Sequence, residues 1–386
     1  MSEQVGAVCR KLLPDWAPMS RLLVGWPLRA DTWRHGGGPA QESVMRFIKN
    51  VLMHTTGLNV TILVGDEDEV EDMKALRDDN KWAQVYLHSK RLSVEYVSMD
   101  DCWLRDTTPL FVRKVHGEDI GLEGVCFRFN AWGGDNGGCY TSYERDAKVA
   151  GIVCDRYNVE SQQAEMVLEG GSVCSDGEGT LLVTEECVLN ANRNAKMSKC
   201  EIENTLRDTL GVTKFIWLPF GAAFDYDTDG HVDNMAIFIR KGHVLLLWAE
   251  KEECEEQWRR SEAAYEVLQS STDACGNALV VHKVRAPRAQ RRSESEAAGV
   301  QAVSGSVARG RLEGERLCAS YVNVVIAGES VFAPAFGDAQ ADARAERELC
   351  EAFAETGRKI VMVPAREIIL GGGGLHCLTA GIGAKS

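Results

Sequence analysis

Helix-like segments that stop at a glycine recur along the chain. Amphipathic runs end at Gly57, Gly211, Gly276 and Gly357. Glycine just past the last turn is a common helix stop, because it adopts the left-handed conformation without strain. A β-like run follows each of these glycines, and the four runs are LNVTILVG, VTKFIWLPF, NALVVHKV and KIVMVP. The pattern therefore predicts four helix–glycine–strand units.

Each unit also contains two β-like runs joined at a glycine turn, and a polar motif leads into the first run. The turns lie near Gly117, Gly177, Gly242 and Gly328. The motifs recur at intervals of about 60 residues, which is typical of a repeat architecture. One interval is longer and contains residues 283–311, which we expect to form an inserted surface loop.

The order of strand, motif, hairpin, helix and glycine recurs about five times. Five ββαβ-like units that close radially would form a five-bladed α/β-propeller, and the α/β class is the fold we predict. The polar motifs would then converge near the propeller axis. A set of independent α/β subdomains is the alternative interpretation.

Composition limits the classes of partner. The chain has 386 residues and a net charge of −14, which argues against nucleic acid and is compatible with a small cationic ligand. Its longest apolar runs, such as VLLLW, are too short to span a bilayer, and its first residues lack the layout of a secretory signal. The 13 cysteines include no C-x2-C motif, so we expect free thiols in a reducing, cytoplasmic setting.

Four polar motifs occupy equivalent places in the repeat: DDCWLRDTTP, LEGG, GHVDN and GGGGLHC. They contribute the side chains with chemistry to offer, which are Asp106, Glu169, His231, Asp233 and Cys377. Each alone has a structural interpretation: a surface ion pair for Asp106, a solvated turn for Glu169, a buried thiol for Cys377. His231 and Asp233 could be a structural pair or part of a metal site, although His-x-Asp alone is weak evidence for a metal. Their recurrence at one place in the repeat favours a shared site.

A thiol, a histidine and three carboxylates in one pocket fit a guanidinium substrate. A cysteine protease has no use for the additional acids. The planar N–H fork of a guanidinium matches carboxylates in bidentate geometry. Its carbon needs a strong nucleophile, and thiolate is the strongest that side chains supply.

The sequence also closely resembles the agmatine deiminases of the guanidine-modifying, or pentein, superfamily. The match covers almost the whole chain and includes GWPLRADTWRHGGGPAQ, DDCWLRDTTPLFV, FNAWGG, VLEGGSVCSDGEGTLLVTEECVLNANRN, GHVDN, SYVN, FGD and GGGGLHC. The resemblance implies a single five-bladed catalytic domain, residues 1–386, that converts agmatine to N-carbamoylputrescine and ammonia in polyamine biosynthesis. It further implies a homo-oligomer, with no metal or organic cofactor.

The resemblance assigns roles to residues through these motifs. Cys377 is the implied nucleophile and His231 the implied general acid and base. Asp106 and Asp233 hold the guanidinium, Glu169 holds it and assists proton transfer, and Trp103 lines the pocket. One departure lies in the last motif, where Gly374 replaces the asparagine usual in the family. Free or peptidyl arginine is the alternative substrate, and a non-catalytic guanidine or polyamine binder is the alternative function.

The far end of agmatine is an ammonium group, which needs a partner or open water. The stretch before the histidine motif, FDYDTDGHVD, is acidic. Within it we favour Asp227, four residues before His231, as the partner of the ammonium. A solvated acidic loop is the alternative interpretation.

Overall fold

The computed structural model describes residues 8–70, 73 and 81–384. Within these residues, the strands form five sheets of three or four strands each. The strands are β1 (Cys9–Leu12), β2 (Met19–Gly25), β3 (Asn59–Val64), β4 (Leu92–Tyr96), β5 (Leu110–His116), β6 (Asp119–Arg128), β7 (Glu160–Val167), β8 (Val173–Ser175), β9 (Thr180–Thr184), β10 (Lys214–Leu218), β11 (Ala236–Arg240), β12 (His243–Trp248), β13 (Val280–Arg285), β14 (Val325–Ala327), β15 (Ser330–Ala335), β16 (Lys359–Pro364) and β17 (Thr379–Gly383).

The five sheets share one pairing pattern. In each, an antiparallel pair is followed by a strand that pairs in parallel, as β11 and β12 are followed by β13. The other antiparallel pairs are β17/β2, β5/β6, β8/β9 and β14/β15, and the parallel partners that follow are β3, β7, β10 and β16. The predicted glycine turns join four of these antiparallel pairs, so the repeat inferred from the sequence is confirmed at the level of strand pairing.

A parallel pair requires a crossover, and helices provide it. The described α-helices are Gly38–His54, Lys81–His88, Leu104–Thr107, Asp146–Arg156, Glu185–Val188, Ala191–Asn194, Lys199–Leu210, Glu255–Ser270, Glu294–Ala298, Ala339–Phe353 and Arg366–Ile369. Gly211 caps its helix in the left-handed conformation, with φ 68°, as predicted. The prediction at Gly276 was wrong, because the helix ends at Ser270 and the glycine lies in a turn held by the Asp273 carboxylate. No helix among the described residues is both long and apolar enough to cross a bilayer.

The polar motifs lie just before the antiparallel pairs, where the chain makes a short helical turn. Leu104–Thr107 precedes β5, and the 3₁₀ turns Gly170–Ser172 and Val232–Asn234 precede β8 and β11. The GGGGLHC motif precedes β17 in the same way. Four motifs far apart in sequence therefore enter the fold at equivalent points.

Residues 283–311 are not simply the surface loop that the sequence suggested. They begin inside β13 and include the helix Glu294–Ala298. The side chains of Arg292 and Arg311 are only 2% and 5% exposed. The prediction holds for the exposed residues 301–305 and fails for Arg292 and Arg311, because the arginine-rich composition gives no sign that these side chains pair with Glu315 and Asp227.

Candidate active site

One cavity brings together most of the predicted side chains. It has an empty volume of about 370 Å³, and Trp103, Asp106, Asp227 and Cys377 line it. Trp132 and Tyr140 add two more aromatic walls. The remaining predicted residues are also buried: His231 contacts Asp106 and Asp233 contacts Cys377 in this lining, and Glu169 contacts His231 behind it.

The thiol of Cys377 lies at the base of the GGGGLHC loop. Its Sγ receives hydrogen bonds from the backbone N–H of Gly374, at 3.3 Å, and from Nδ2 of Asn323, at 3.4 Å. Sγ is also 3.8 Å from Oδ2 of Asp233. Burial raises the pKa of the Cys377 thiol well above its usual value, and the carboxylates of Asp233 and Asp106 raise it further. The free site therefore favours the neutral thiol.

The glycines of this loop are required by close packing. A Cβ added at Gly371 would overlap Trp33, one at Gly373 would meet the Trp103 ring, and one at Gly374 would overlap Asn323. Gly372 has φ 111°, which an L side chain adopts only with strain. Gly374, the departure from the family pattern, thus leaves room for Asn323 to bond the nucleophile.

Asp106 faces the cavity from the short helix Leu104–Thr107. Its carboxylate accepts hydrogen bonds from the backbone N–H of Gly171, at 2.9 Å, and from Nε1 of Trp132, at 3.1 Å. Burial raises the pKa of Asp106 to about 6, with His231 acting in the opposite direction. A cation in the cavity would restore the charged form of this carboxylate.

His231 is fully buried between two carboxylates. Its Nδ1 is 3.8 Å from Oδ1 of Asp106, and its Nε2 is 3.7 Å from Oε2 of Glu169. Neither ring nitrogen has a hydrogen-bond partner in the described part of the chain. Burial lowers the pKa of His231. The carboxylates of Asp106 and Glu169 and the Cys187 side chain raise it by more, so the pKa lies well above its usual value. The surroundings of His231 therefore favour the protonated imidazole.

Glu169 is held in its ionised form by a buried arginine. Nε of Arg193 donates to Oε1 of Glu169 at 2.7 Å, and both side chains are 1% exposed. Burial raises the pKa of Glu169, but Arg193 and His231 lower it to about 2. The second oxygen, Oε2, faces His231.

Asp233 belongs to a chain of charged groups that leads away from the cavity. Nδ1 of His376 contacts Oδ2 of Asp233 at 2.8 Å, and Nε2 of His376 contacts Oδ1 of Asp15 at 3.2 Å. Asp15 in turn pairs with Arg105 at 3.0 Å. Burial and Arg105 lower the pKa of His376, but Asp15 and Asp233 raise it more, so it lies above its usual value. Oδ1 of Asp233 has no hydrogen-bond partner among the described residues.

Trp103 is fixed as a wall of the cavity. Its Nε1 donates to Oδ2 of Asp101 at 3.0 Å, and its ring stacks on Trp33 with centroids 5.2 Å apart. Nε1 of Trp33 donates to the other oxygen of Asp101 at 3.0 Å. One buried carboxylate thus orients two aromatic rings.

Asp227 lines the cavity but is already paired. Its carboxylate bonds Arg311 at 2.8 Å and Arg309 at 2.9 Å. Arg311 also donates to the backbone oxygen of Gly371 at 2.8 Å, which ties Asp227 to the glycine loop. The solvated acidic loop suggested as the alternative does not describe this residue, whose side chain is 13% exposed.

Sequence reasoning missed several residues of the site. His376 was read only as part of the GGGGLHC motif, and Arg193 only as part of the NANRN stretch. Asp15 lies in LLPDW, where no local pattern marks it. Cys187 was also missed, although its Sγ, a carboxylate oxygen of Glu169 and a ring nitrogen of His231 all lie within 4.8 Å of one another.

Comparisons with known proteins agree with one another. The family model of the Porphyromonas-type peptidyl-arginine deiminases matches residues 11–382. The agmatine deiminase of Stutzerimonas stutzeri is 44% identical over 370 residues, which is 95% of this chain and 93% of that protein. The agmatine deiminase of Ectopseudomonas mendocina is 42% identical over the same shares of both chains. The solved structure of the Enterococcus faecalis agmatine deiminase is 33% identical, covers 97% of this chain and 95% of that one, and superposes with a TM-score of 0.86.

Proposed function

This chain belongs to the Porphyromonas-type peptidyl-arginine deiminase family, and we propose that it hydrolyses agmatine to N-carbamoylputrescine and ammonia. The observation that carries the proposal is the cavity beside Cys377. The thiol is 3.8 Å from Oδ2 of Asp233, and both Cys377 and Asp106 line the cavity. Two carboxylates beside one thiol hold a guanidinium with its carbon facing the sulfur.

The first half of the reaction forms a covalent intermediate. Asp106 and Asp233 bind the guanidinium, the Cys377 thiol then releases its proton to solvent, and the resulting thiolate attacks the guanidinium carbon. His231, charged and held by Glu169, gives its proton to the departing nitrogen. The carbon–nitrogen bond breaks, ammonia leaves, and an S-alkylthiouronium remains on Cys377.

The second half returns the enzyme to its starting state. A water molecule gives a proton to His231, now neutral, and its oxygen attacks the thiouronium carbon. The carbon–sulfur bond then breaks, the electron pair returns to sulfur, and the proton of the new hydroxyl group passes to Cys377, which restores the neutral thiol. N-carbamoylputrescine leaves with the new oxygen.

The substrate promotes its own attack in this scheme. In the free site the carboxylates of Asp106 and Asp233 favour the neutral thiol of Cys377. A guanidinium bound between those carboxylates offsets their charge and lowers the pKa of the thiol. The nucleophile is therefore activated when the substrate is present, which limits side reactions of the free thiol.

The cavity favours a decarboxylated substrate over free arginine. The α-carboxylate of arginine would need a cationic partner. Among the described residues that line the cavity, Arg311 supplies the one guanidinium, and it is bonded to Asp227 and to the Gly371 carbonyl. Agmatine carries no carboxylate and makes no such demand.

Asp227 is the proposed partner of the agmatine ammonium, and it acts together with its arginines. A carboxylate has about four lone-pair sites. Arg309 and Arg311 therefore leave it able to accept from a third donor, although with reduced charge. Replacement by asparagine should lower kcat/KM for agmatine more than for a simple alkylguanidine. Equal losses for both would exclude Asp227 from reading the amine.

Further features of the proposal concern the whole molecule. The five sheets with one pairing pattern support closure into a five-bladed α/β-propeller. The family match from residue 11 to residue 382 supports a single catalytic domain over residues 1–386. A homo-oligomer in the cytoplasm that acts in polyamine biosynthesis, without a metal or organic cofactor, completes the proposal.

An assay of three substrates tests the proposal. Ammonia and ureido product are measured with agmatine, free L-arginine and an arginyl peptide, and the Cys377→Ala variant serves as the blank. We expect turnover with agmatine at a kcat/KM well above that of the other two. A preference for arginine or for the peptide would show that this compound, rather than agmatine, is the substrate. No turnover with any of the three would support a binding protein.

A further inference from the structure

Cys187 lies beside the proposed catalytic histidine and has no role in the mechanism above. It belongs to the short helix Glu185–Val188, which follows β9, and it is fully buried. Its Sγ, one carboxylate oxygen of Glu169 and one ring nitrogen of His231 lie within 4.8 Å of one another. Glu169 and Cys187 flank the β8/β9 pair of one sheet, His231 precedes β11 of another, and together they form one compact set of donor atoms.

We propose that Glu169, Cys187 and His231 form an inhibitory site for a thiophilic divalent cation such as Zn²⁺. Zinc binds carboxylate oxygen, thiolate sulfur and imidazole nitrogen, and three protein ligands with an open fourth position suit it. Nε2 of His231 and Oε2 of Glu169 are 3.7 Å apart. That separation is close to the roughly 3.4 Å edge of a tetrahedron with bonds of about 2.1 Å.

Two further observations point to a ligand at this place. Both ring nitrogens of His231 are buried without a hydrogen-bond partner in the described part of the chain, so either can coordinate without breaking a bond. Glu169 is already oriented, because Arg193 holds Oε1 at 2.7 Å and leaves Oε2 toward the histidine. Such support from a neighbouring residue fixes a ligand before the metal arrives.

The exchange of protons for metal leaves the buried charge unchanged. Without metal, the Glu169 carboxylate, the charged His231 and the neutral Cys187 thiol sum to zero. Zn²⁺ displaces one proton from His231 and one from Cys187 into solvent, which leaves a carboxylate, a thiolate, a neutral imidazole and a dication, and the sum is again zero. Arg193 therefore faces the same net charge in both states, and its own charge does not exclude the ion.

The bound ion would stop turnover without touching the nucleophile. The ion takes the place of the proton that His231 donates, whereas Cys377 does not bind the ion. The proposed site adjoins the cavity, because Asp106 lines the cavity and lies 3.8 Å from Nδ1 of His231. Mg²⁺ and Ca²⁺ prefer oxygen ligands and should not inhibit.

Zinc binding is measured on the full chain without turnover, so that its outcome does not depend on the proposed reaction. Cys377→Ala removes the nucleophile as a competing ligand, and equilibrium dialysis in a thiol-free reductant counts bound Zn²⁺. We expect one ion per chain in Cys377→Ala, and at least 30-fold weaker binding when Cys187→Ser or Cys187→Ala is added. Cys139→Ser is the matched control, because Cys139 is a buried cavity thiol outside the cluster, and it should change the affinity less than threefold.

Inhibition of ammonia release supplies the second measurement. Zn²⁺ should inhibit the unsubstituted protein, and Cys187→Ser should raise the inhibitory concentration at least 30-fold, while Mg²⁺ has no effect on either. Equal inhibition of the unsubstituted protein and Cys187→Ser would place the ion elsewhere, for example on Cys377. Loss of Zn²⁺ binding in Cys377→Ala alone would overturn the proposal in the same way.

Discussion

Replacement of His376 by leucine tests the chain of charges behind the site. Leucine has a similar volume, but it cannot donate to Asp233 or to Asp15. In the protein these contacts measure 2.8 Å and 3.2 Å. Asp15 keeps its ion pair with Arg105, whereas Oδ2 of Asp233 keeps only the Cys377 thiol at 3.8 Å. The loss therefore falls on the carboxylate that we propose holds the guanidinium.

The expected size follows from one charge-assisted hydrogen bond. Such a bond contributes about 1.5–3 kcal/mol. If Asp233 loses that much of its orientation in the transition state, kcat/KM falls by roughly 10- to 150-fold. KM should rise along with any fall in kcat, because the proposed role of Asp233 is to bind the substrate as well as the transition state.

Asparagine at the same position is the matched control. Its Nδ2 reaches approximately the place of the imidazole Nδ1 and can still donate to Asp233, although it cannot reach Asp15. His376→Asn should therefore keep most of the activity that His376→Leu loses. Ammonia release with agmatine gives kcat and KM, and urea denaturation checks that both variants are folded.

Two outcomes would refute this reasoning. If the folded His376→Leu variant kept kcat/KM within threefold of the unsubstituted protein, His376 would not position Asp233. If His376→Asn were as weak as His376→Leu, the contact with Asp15, rather than the contact with Asp233, would be the one that matters.

Four further predictions follow from the site. Cys377→Ala should abolish ammonia release and leave the urea midpoint nearly unchanged, and retained turnover would exclude Cys377 as nucleophile. Because burial raises the pKa of Asp106 to about 6, this carboxylate becomes neutral as the pH falls through that value, so kcat/KM should decline below about pH 6; a profile flat down to pH 5 would contradict its role. Asp227→Asn leaves the buried Arg311 without a countercharge and should lower the free energy of unfolding by about 3–5 kcal/mol, while a loss below 1 kcal/mol, roughly, would show the pair is dispensable. Dialysis against a chelator should not reduce activity, and a loss restored by one metal would show that the reaction requires it.

The fold was predictable from sequence because its signals are local and repeated. Gly211 stops a helix at the place where the amphipathic run ends, and the hairpin turn at Gly242 lies between two short apolar runs. Each signal depends on a few neighbouring residues. Because the same signals recur, the sequence predicted the antiparallel hairpins before any contact was known.

The site was predictable only where a motif marked it. Cys377, His231 and Asp106 lie in distinctive motifs at equivalent points of the repeat, and the structure brings them to one place. The contact between Asp15 and His376 joins residues 361 positions apart, and nothing near Asp15 in sequence announces it. Long-range polar partners of this kind depend on the packing of whole sheets.

The amino-acid composition gave a wrong prediction where charged side chains are buried. Arg309 and Arg311 lie in a segment rich in arginine and serine, which is typical of solvated loops. Arg311 is nevertheless almost buried, because the Asp227 carboxylate compensates its charge. Neither the segment that contains Asp227 nor the segment that contains Arg311 predicts this ion pair alone, because each is an ordinary polar stretch in the sequence.

The pairing of β17 with β2 has a consequence for the synthesis of the protein. Thr379 pairs with Val24, so β2 waits for a strand that is made much later in translation. At about 5–20 residues per second, that wait is roughly 20–70 s. During it β2 presents an open edge, which is a hazard for association with other nascent chains. Cys377 arrives only two residues before the missing strand. The growing chain therefore holds the carboxylates of the proposed site before it has the Cys377 thiol, and closure of the sheet and arrival of the thiol occur at nearly the same moment.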